Sequence, residues 1–364
     1  MILKDITSYI ESVAPLAYQE DYDNAGLIVG DLNQEITGVL ITLDVIEEIV
    51  DEAIEKGLNL IVAHHPIVFS GLKKLTGKNY IERIIIKAIK NDIAIYASHT
   101  NLDSIWGGVN SKIADKLNLK NQKILAPASN QLFKLVYFVP TDNADKTRNA
   151  IFEAGAGHIG NYDKCSYNSE GKGSFRAGEN TNPFVGNKGE IHFENEVRVE
   201  TVFPKYLKNK IIEALISSHP YEEVAFDIYP VENTFKKAGL GIVGDLETEI
   251  YELDFLKLLK KRFSADCVRY TKLLKKPIKR IAVCGGSGSF LLSKAIMSKA
   301  DVFVSGDFKY HQFFDAEGKI LIADIGHFET EQITKELFYE LLIKKFPKFA
   351  VHLTEINSNP INYL

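Results

Sequence analysis

Two spacings of apolar residues alternate along this chain. At the amino terminus, Ile2, Ile6, Ile10 and Val13 fall on one side of an amphipathic helix. Residues 39–43 form a short, apolar, β-branched run, which predicts a buried strand. Residues 45–56 return to helical spacing, with Ile46, Ile49, Val50 and Ala53 on one face and Gly57 closing the segment. A strand is expected over 58–63, a helix over 80–90 with Ile81, Ile84, Ile85 and Ala88 aligned, and a strand over 93–97. Strands and helices alternating in this way predict βαβ units around a largely parallel sheet.

The carboxyl-terminal block repeats the style. Strands are predicted over 278–284, 301–304 and 320–323, and a long helix over 330–345. The stretch from Ala25 to Leu32 is echoed from Ala238 to Leu246 with one extra glycine, as two related halves would produce. The middle block has another texture: strands over 132–139, 197–203 and 227–231, helices over 146–154 and 207–218, and a polar, glycine-rich stretch over 155–189. The expected organisation is an α/β domain in two parts, 1–126 and 234–364, with a small α+β domain, 127–233, inserted at an exposed loop.

Composition narrows the class. A length of 364 residues exceeds one ordinary domain, and 45% apolar with 25% charged residues is a globular balance. A net charge of -5 argues against a general nucleic-acid partner. Cys165, Cys267 and Cys284 form no CxxC pair, which disfavours a disulfide framework or a thiolate zinc site and points to a reducing, cytoplasmic setting. No apolar run reaches the length needed to span a bilayer, so no membrane partner is expected.

The candidate chemistry lies just past the predicted strands, where open α/β sheets gather ligands. After 58–63 come His64 and His65. After 93–97 come His99 and Asp103. After 320–323 come His327 and Glu331, whose spacing puts both on one helix face. Taken singly, each has an ordinary structural explanation: a loop polar pair, a helix cap, a surface i,i+4 pair. Together at strand ends they make a nitrogen and oxygen set for divalent metal, with positions open for chemistry. Gly285, Gly286, Ser287, Gly288 and Ser289, between a strand and a helix, form either a tight turn or an anion cradle. His219 and Pro220, followed by Tyr221, Glu222 and Glu223, read as a turn after a helix.

These residues resemble the motifs of the NIF3 family of dinuclear-metal proteins, its members often labelled GTP cyclohydrolase I type 2 homologues. The resemblance rests on Asp23-Asn24-Ala25-Gly26-Leu27, His64-His65-Pro66 with Phe69, the run from His99 to Asp103, Gly285 to Ser289, Ser305-Gly306-Asp307, and Gly326-His327 with Glu331, in that order. The middle block is similar to the PII-like or CutA-like insert of longer members. The resemblance implies that His64, His65, Asp103, His327 and Glu331 hold two divalent ions per subunit, of zinc, iron, manganese, cobalt or nickel. It implies a toroidal homohexamer, and leaves His311 near the metals without making it a ligand. The expected activity is metal-dependent hydrolysis of a nucleotide or related phosphate-bearing substrate. His99 would act as proton shuttle or ligand orienter, and the Gly285 to Ser289 loop as anion subsite. The alternative is a non-enzymatic metal-binding scaffold whose insert binds an effector.

Overall fold

The computed structural model describes residues Met1–Leu364. The chain resolves into two compact units, Met1–Pro127 with Lys236–Leu364, and Ala128–Phe235. No helix is long and apolar enough to cross a membrane.

The larger unit contains two sheets. The first runs Gly26–Val29, Ala94–Ala97, Leu60–Ala63, Val39–Thr42, Val351–Leu353. Its first pair is antiparallel and the other three are parallel. The second runs Arg269–Tyr270, Leu321–Asp324, Val302–Gly306, Pro277–Ser287, Phe235–Tyr251, Lys120–Ala128. Leu321–Asp324, Val302–Gly306 and Pro277–Ser287 are mutually parallel, with antiparallel neighbours on both sides. Both echo segments lie in antiparallel strands flanking a parallel set. Gly26–Val29 lies beside Ala94–Ala97, and Phe235–Tyr251 beside Pro277–Ser287.

The parallel strands read as unbroken apolar runs because both faces are covered. Val39, Ile41, Leu60, Val62 and Tyr96 pack with Val283, Val302, Val304 and Ala323 in one core shared by both sheets. Their neighbours Leu40, Ile61 and Ile95 face outward onto Glu47–Glu55 and Tyr80–Lys90, and Ala282, Phe303 and Ile322 onto Leu292–Met297. Thr42, Ala63 and Ala97 stand in register, so the parallel strands of the first half end level and the side chains just past their carboxyl ends gather in one place.

Three expectations change. The predicted 330–345 helix is two, His327–Glu331 and Thr334–Lys345, with Gln332 and Ile333 between. In the amino-terminal helix Leu3–Val13 the buried face is Leu3, Ile6, Thr7 and Ile10, while Ile2 caps it and bridges to Glu35. In the smaller unit, the glycine-rich stretch contains the strand Tyr167–Arg176, whose residues are exposed on both faces and so show no apolar alternation. That unit is an antiparallel sheet, Tyr167–Arg176, Ile191–Pro204, Leu132–Pro140, Phe226–Val231, backed by Ala144–Glu153 and Lys208–Ser218. Leu135, Tyr137, Val197, Val199 and Phe203 form its core with Ile151, Ile211 and Leu215.

Candidate metal centre

Leu60–Ala63 runs directly into His64 and His65, whose backbone N–H groups both donate to the Leu43 carbonyl at 3.1 and 2.9 Å. That tight turn holds the two imidazoles with ring centres 5.0 Å apart and tilted by 43°. Ala94–Ala97 leads through His99 to the helical turn Thr100–Asp103. Leu321–Asp324 leads through Gly326 to the five-residue helix His327–Glu331, its first and last residues one turn apart on one face.

All five predicted ligands converge. Glu331 Oε2 lies 2.8 Å from His65 Nε2, 2.8 Å from His327 Nε2 and 3.9 Å from His64 Nε2. His64 Nε2 lies 3.6 Å from Asp103 Oδ1, and His65 Nε2 lies 3.3 Å from His327 Nε2. Potential donor atoms cluster in three groups: His64, Asp103 and Glu331; His65, His327 and Glu331; His64, His65 and His99. Glu331 belongs to two of them.

The far side of each imidazole is anchored. His64 Nδ1 donates to the Ser98 carbonyl at 2.9 Å, which fixes the proton there and turns the Nε2 lone pair into the cluster. His65 Nδ1 is 2.7 Å from Asp44 Oδ1, His327 Nδ1 is 2.7 Å from Asp307 Oδ2, and His99 Nδ1 is 2.8 Å from Asp23 Oδ1. Carboxylates placed behind imidazoles in this way orient metal-binding histidines and raise their basicity. Asp44 is held in turn by the Ser358 hydroxyl at 2.7 Å. Sequence reasoning did not single out Asp44, and met Asp23 and Asp307 only inside motifs; nothing in the spacing paired them with histidines.

The residues fit a cation by a test internal to the protein. His64 Nε2 and Asp103 Oδ1 are buried and have no hydrogen-bond partner. Leaving such atoms unmatched is costly, and this pair, a lone pair facing a carboxylate oxygen, is a donor set for a metal ion. The electrostatics agree. Burial pulls the imidazole of His64 down to about 4, against the pull of Glu331. For His65 burial also works downward, but Asp44 and Glu331 prevail and raise it to about 9. His327 follows the same pattern, with Asp307 and Glu331 raising it to about 11. Burial and the Glu331 charge push the carboxyl of Asp103 well above the usual range. Glu331 lies well below that range, because His327 and the other imidazoles outweigh burial. Asp23 is held at about 2, the His99 and Thr100 hydrogen bonds overcoming its burial.

The glycine-rich segment takes a different place from a free turn. Gly285, Gly286 and Ser287 end the strand Pro277–Ser287, and Ser289 opens a short 3₁₀ turn. The Gly285 N–H donates to Asn110 Oδ1 and the Gly286 N–H to Thr330 Oγ1, each at 2.9 Å, so two donors of the expected anion cradle are engaged within the protein. Ser289 Oγ accepts from Gln312 at 2.9 Å. Gly286 has φ 58°, and a Cβ there would sit 2.2 Å from Glu331 Oε1. Its lack of a side chain leaves the space that Glu331 fills. His311 lies exposed beside Tyr310 and Phe314 and does not line the site.

The cluster opens into a cavity of about 1020 Å³. Tyr22, Phe69, Leu72 and Phe290 supply apolar wall, Ser287 and His99 polar groups, and no lysine or arginine lines it.

The Duf34/NIF3 (NGG1p interacting factor 3) family model matches residues 1–360. A Bacillus subtilis protein described as a GTP cyclohydrolase 1 type 2 homolog is 41% identical over 367 residues, covering 99% of this chain and 98% of that protein. A Staphylococcus aureus protein of the same description is 34% identical over 369 residues and the full length of both. Among solved structures, a Bacillus cereus protein related to NIF3 superposes with TM-score 0.88 at 38% identity, covering 100% of this chain and 99% of that one. A Staphylococcus aureus protein superposes at 0.80 with 32% identity over 100% and 99%.

Proposed function

Since the chain belongs to the Duf34/NIF3 family, we propose that it is a dinuclear-metal hydrolase acting on a nucleotide or a related phosphate-bearing substrate. The name borne by its relatives, GTP cyclohydrolase 1 type 2 homolog, supports the substrate class. The observation that carries the reading is the pair of unpartnered buried atoms, His64 Nε2 and Asp103 Oδ1, aimed at the same point beside Glu331. His64 and Asp103 would hold one ion, His65 and His327 would hold another, and Glu331 lies within reach of both groups. Bound divalent ions supply Lewis acidity and bring the pKa of water toward neutrality.

The chain's own groups do the rest. Asp44 and Asp307 keep His65 and His327 in the tautomer that points Nε2 inward. Asp23 holds the Nδ1 proton of His99, leaving Nε2 to accept a proton and return it to a leaving group. Phe69 and Phe290 provide apolar surface for a ring, and Ser287 a hydroxyl for a polar substituent. No lysine or arginine lines the wall, so a substrate's phosphate charge would have to be offset by cations held at the histidine and carboxylate cluster. The expected ring of six chains belongs to the same proposal and is tested by native mass in solution.

The test is a nucleotide-hydrolysis screen on protein purified without added metal, beside the same protein after chelation. Hydrolysis lost on chelation and restored by one divalent metal is the expected result. Turnover that survives complete metal removal contradicts it. Nucleotide bound without product across all metals favours the scaffold reading.

A further inference from the structure

The smaller unit has a cavity of its own, of about 590 Å³. Its floor is the sheet face turned away from the two helices. In the antiparallel pair Tyr167–Arg176 and Ile191–Pro204, Gly171 stands opposite Glu196, Gly173 opposite Glu194, and Phe175 opposite His192. On the next strand Phe138 stands opposite Arg198. Side chains alternate between faces, and Val197 and Val199 point into the core. Glu196, Arg198, Phe138 and Phe175 therefore share the cavity face. Lys172 and Arg176 stand one step out of register yet also line the cavity, at its edge; Lys172 Nζ lies 5.9 Å over the Phe193 ring.

Two loops wall this cavity. One carries Phe184, the other Tyr221 and Glu222, and they are tied by the Asn182 N–H donating to Glu222 Oε1 at 2.9 Å. The rings of Phe175 and Phe184 lie 5.9 and 6.2 Å from that of Tyr221. The Tyr221 hydroxyl donates to Glu196 Oε1 at 2.9 Å. A Cβ at Gly173 would sit 2.1 Å from Glu196 Oε2, so the Glu196 side chain lies across the glycine, on the floor.

The charges on this face do not cancel at Glu196. Arg198 is held by Glu200 at 2.9 Å, which also pairs with Lys134 at 2.8 Å, and Glu194 is held by His192 at 2.9 Å. Glu196 takes part in no ion pair; its partner is the neutral Tyr221 hydroxyl. A carboxylate without a counter-charge attracts an ammonium group, aromatic faces attract the same charge, and the rings hold its apolar remainder.

We propose that the smaller unit binds a small organic ammonium ligand, its charged nitrogen at Glu196 and its apolar part against Phe175, Phe184 and Tyr221. This site stands apart from the reading of the metal centre. The experiment is isothermal titration of the full-length protein with phenethylammonium, with tetramethylammonium, and with phenylacetate as an anion carrying the same ring. Both ammonium ions bind and phenylacetate does not. Glu196→Gln keeps an oxygen for the Tyr221 hydroxyl but loses the charge, and weakens ammonium binding about tenfold or more with metal content and Tm unchanged. Phe184→Ala removes an exposed ring and weakens it as well, which keeps the test open should the glutamine variant fail to fold. Equal binding of phenylacetate, unchanged ammonium affinity in the variants, or no binding of either ammonium ion overturns the proposal.

Discussion

His64 is fully buried in the larger unit, its Nδ1 proton fixed on a carbonyl and its Nε2 without a partner. His64→Ala is expected to abolish metal retention, read by elemental analysis. The carboxylates behind His65 and His327 act by orientation, so Asp44→Asn and Asp307→Asn each lower metal affinity about 10- to 100-fold without abolishing it. Equilibrium dialysis distinguishes this from the loss expected of His64→Ala. The raised pKa values give a sign for pH. Without metal, His65 at about 9 and His327 at about 11 carry protons at neutral pH, and an incoming cation displaces them. Affinity for Mn²⁺ therefore climbs as pH rises from about 6 to about 8, with proton release measurable by calorimetry in buffers of different ionisation enthalpy. An affinity flat across that range contradicts the assignment. Gly286→Ala places a methyl group where Glu331 Oε1 lies, on a backbone with φ 58°, and is expected to lower both metal content and stability. The candidate ligands were legible because each follows a predicted strand end and stands in a motif that resembles those of the family. Asp44, Asp23 and Asp307 were not legible in their orienting role, since pairing each with a histidine requires distances.

Elements were readable where the apolar period was clean. Leu60–Ala63 and Tyr80–Lys90 fall where the spacing put them, because each buries a continuous run or a full stripe. Tyr167–Arg176 was hidden, since a strand exposed on both faces carries no alternation. The break at Gln332 and Ile333 was hidden too, as no proline or glycine marks it. Most consequential is Val351–Leu353, which joins the first sheet parallel to Val39–Thr42 and is followed by Ser358, the hydroxyl donor to Asp44. Truncation after Phe349 is therefore expected to lower Tm and metal affinity together. Ser358→Ala is expected to lower affinity several-fold while Tm, followed by circular dichroism, stays near wild type. If neither change affects the metal, the tail has no part in the site.

At the scale of the whole molecule, all the candidate ligands come from one of two compact units, contributed by both of its sequence segments. The βα alternation at both ends and the α+β texture between them were read from the apolar periods alone. The joining of Val351–Leu353 to the first sheet was beyond sequence reading, because a three-residue edge strand has too little pattern to identify its neighbour. A metal held by this cluster would bind the folded larger unit, so thermal unfolding in excess Mn²⁺ should move one transition upward and leave the transition of the smaller unit in place. The central claim is a two-ion centre built on His64, His65, Asp103, His327 and Glu331. Its most direct test is elemental analysis of protein purified without added metal, measured beside Glu331→Gln. About two divalent ions per chain in the first, and loss of both in the second, is the predicted result. A wild-type chain that holds no metal when offered each divalent ion in turn, or a Glu331→Gln variant that retains both, would contradict it.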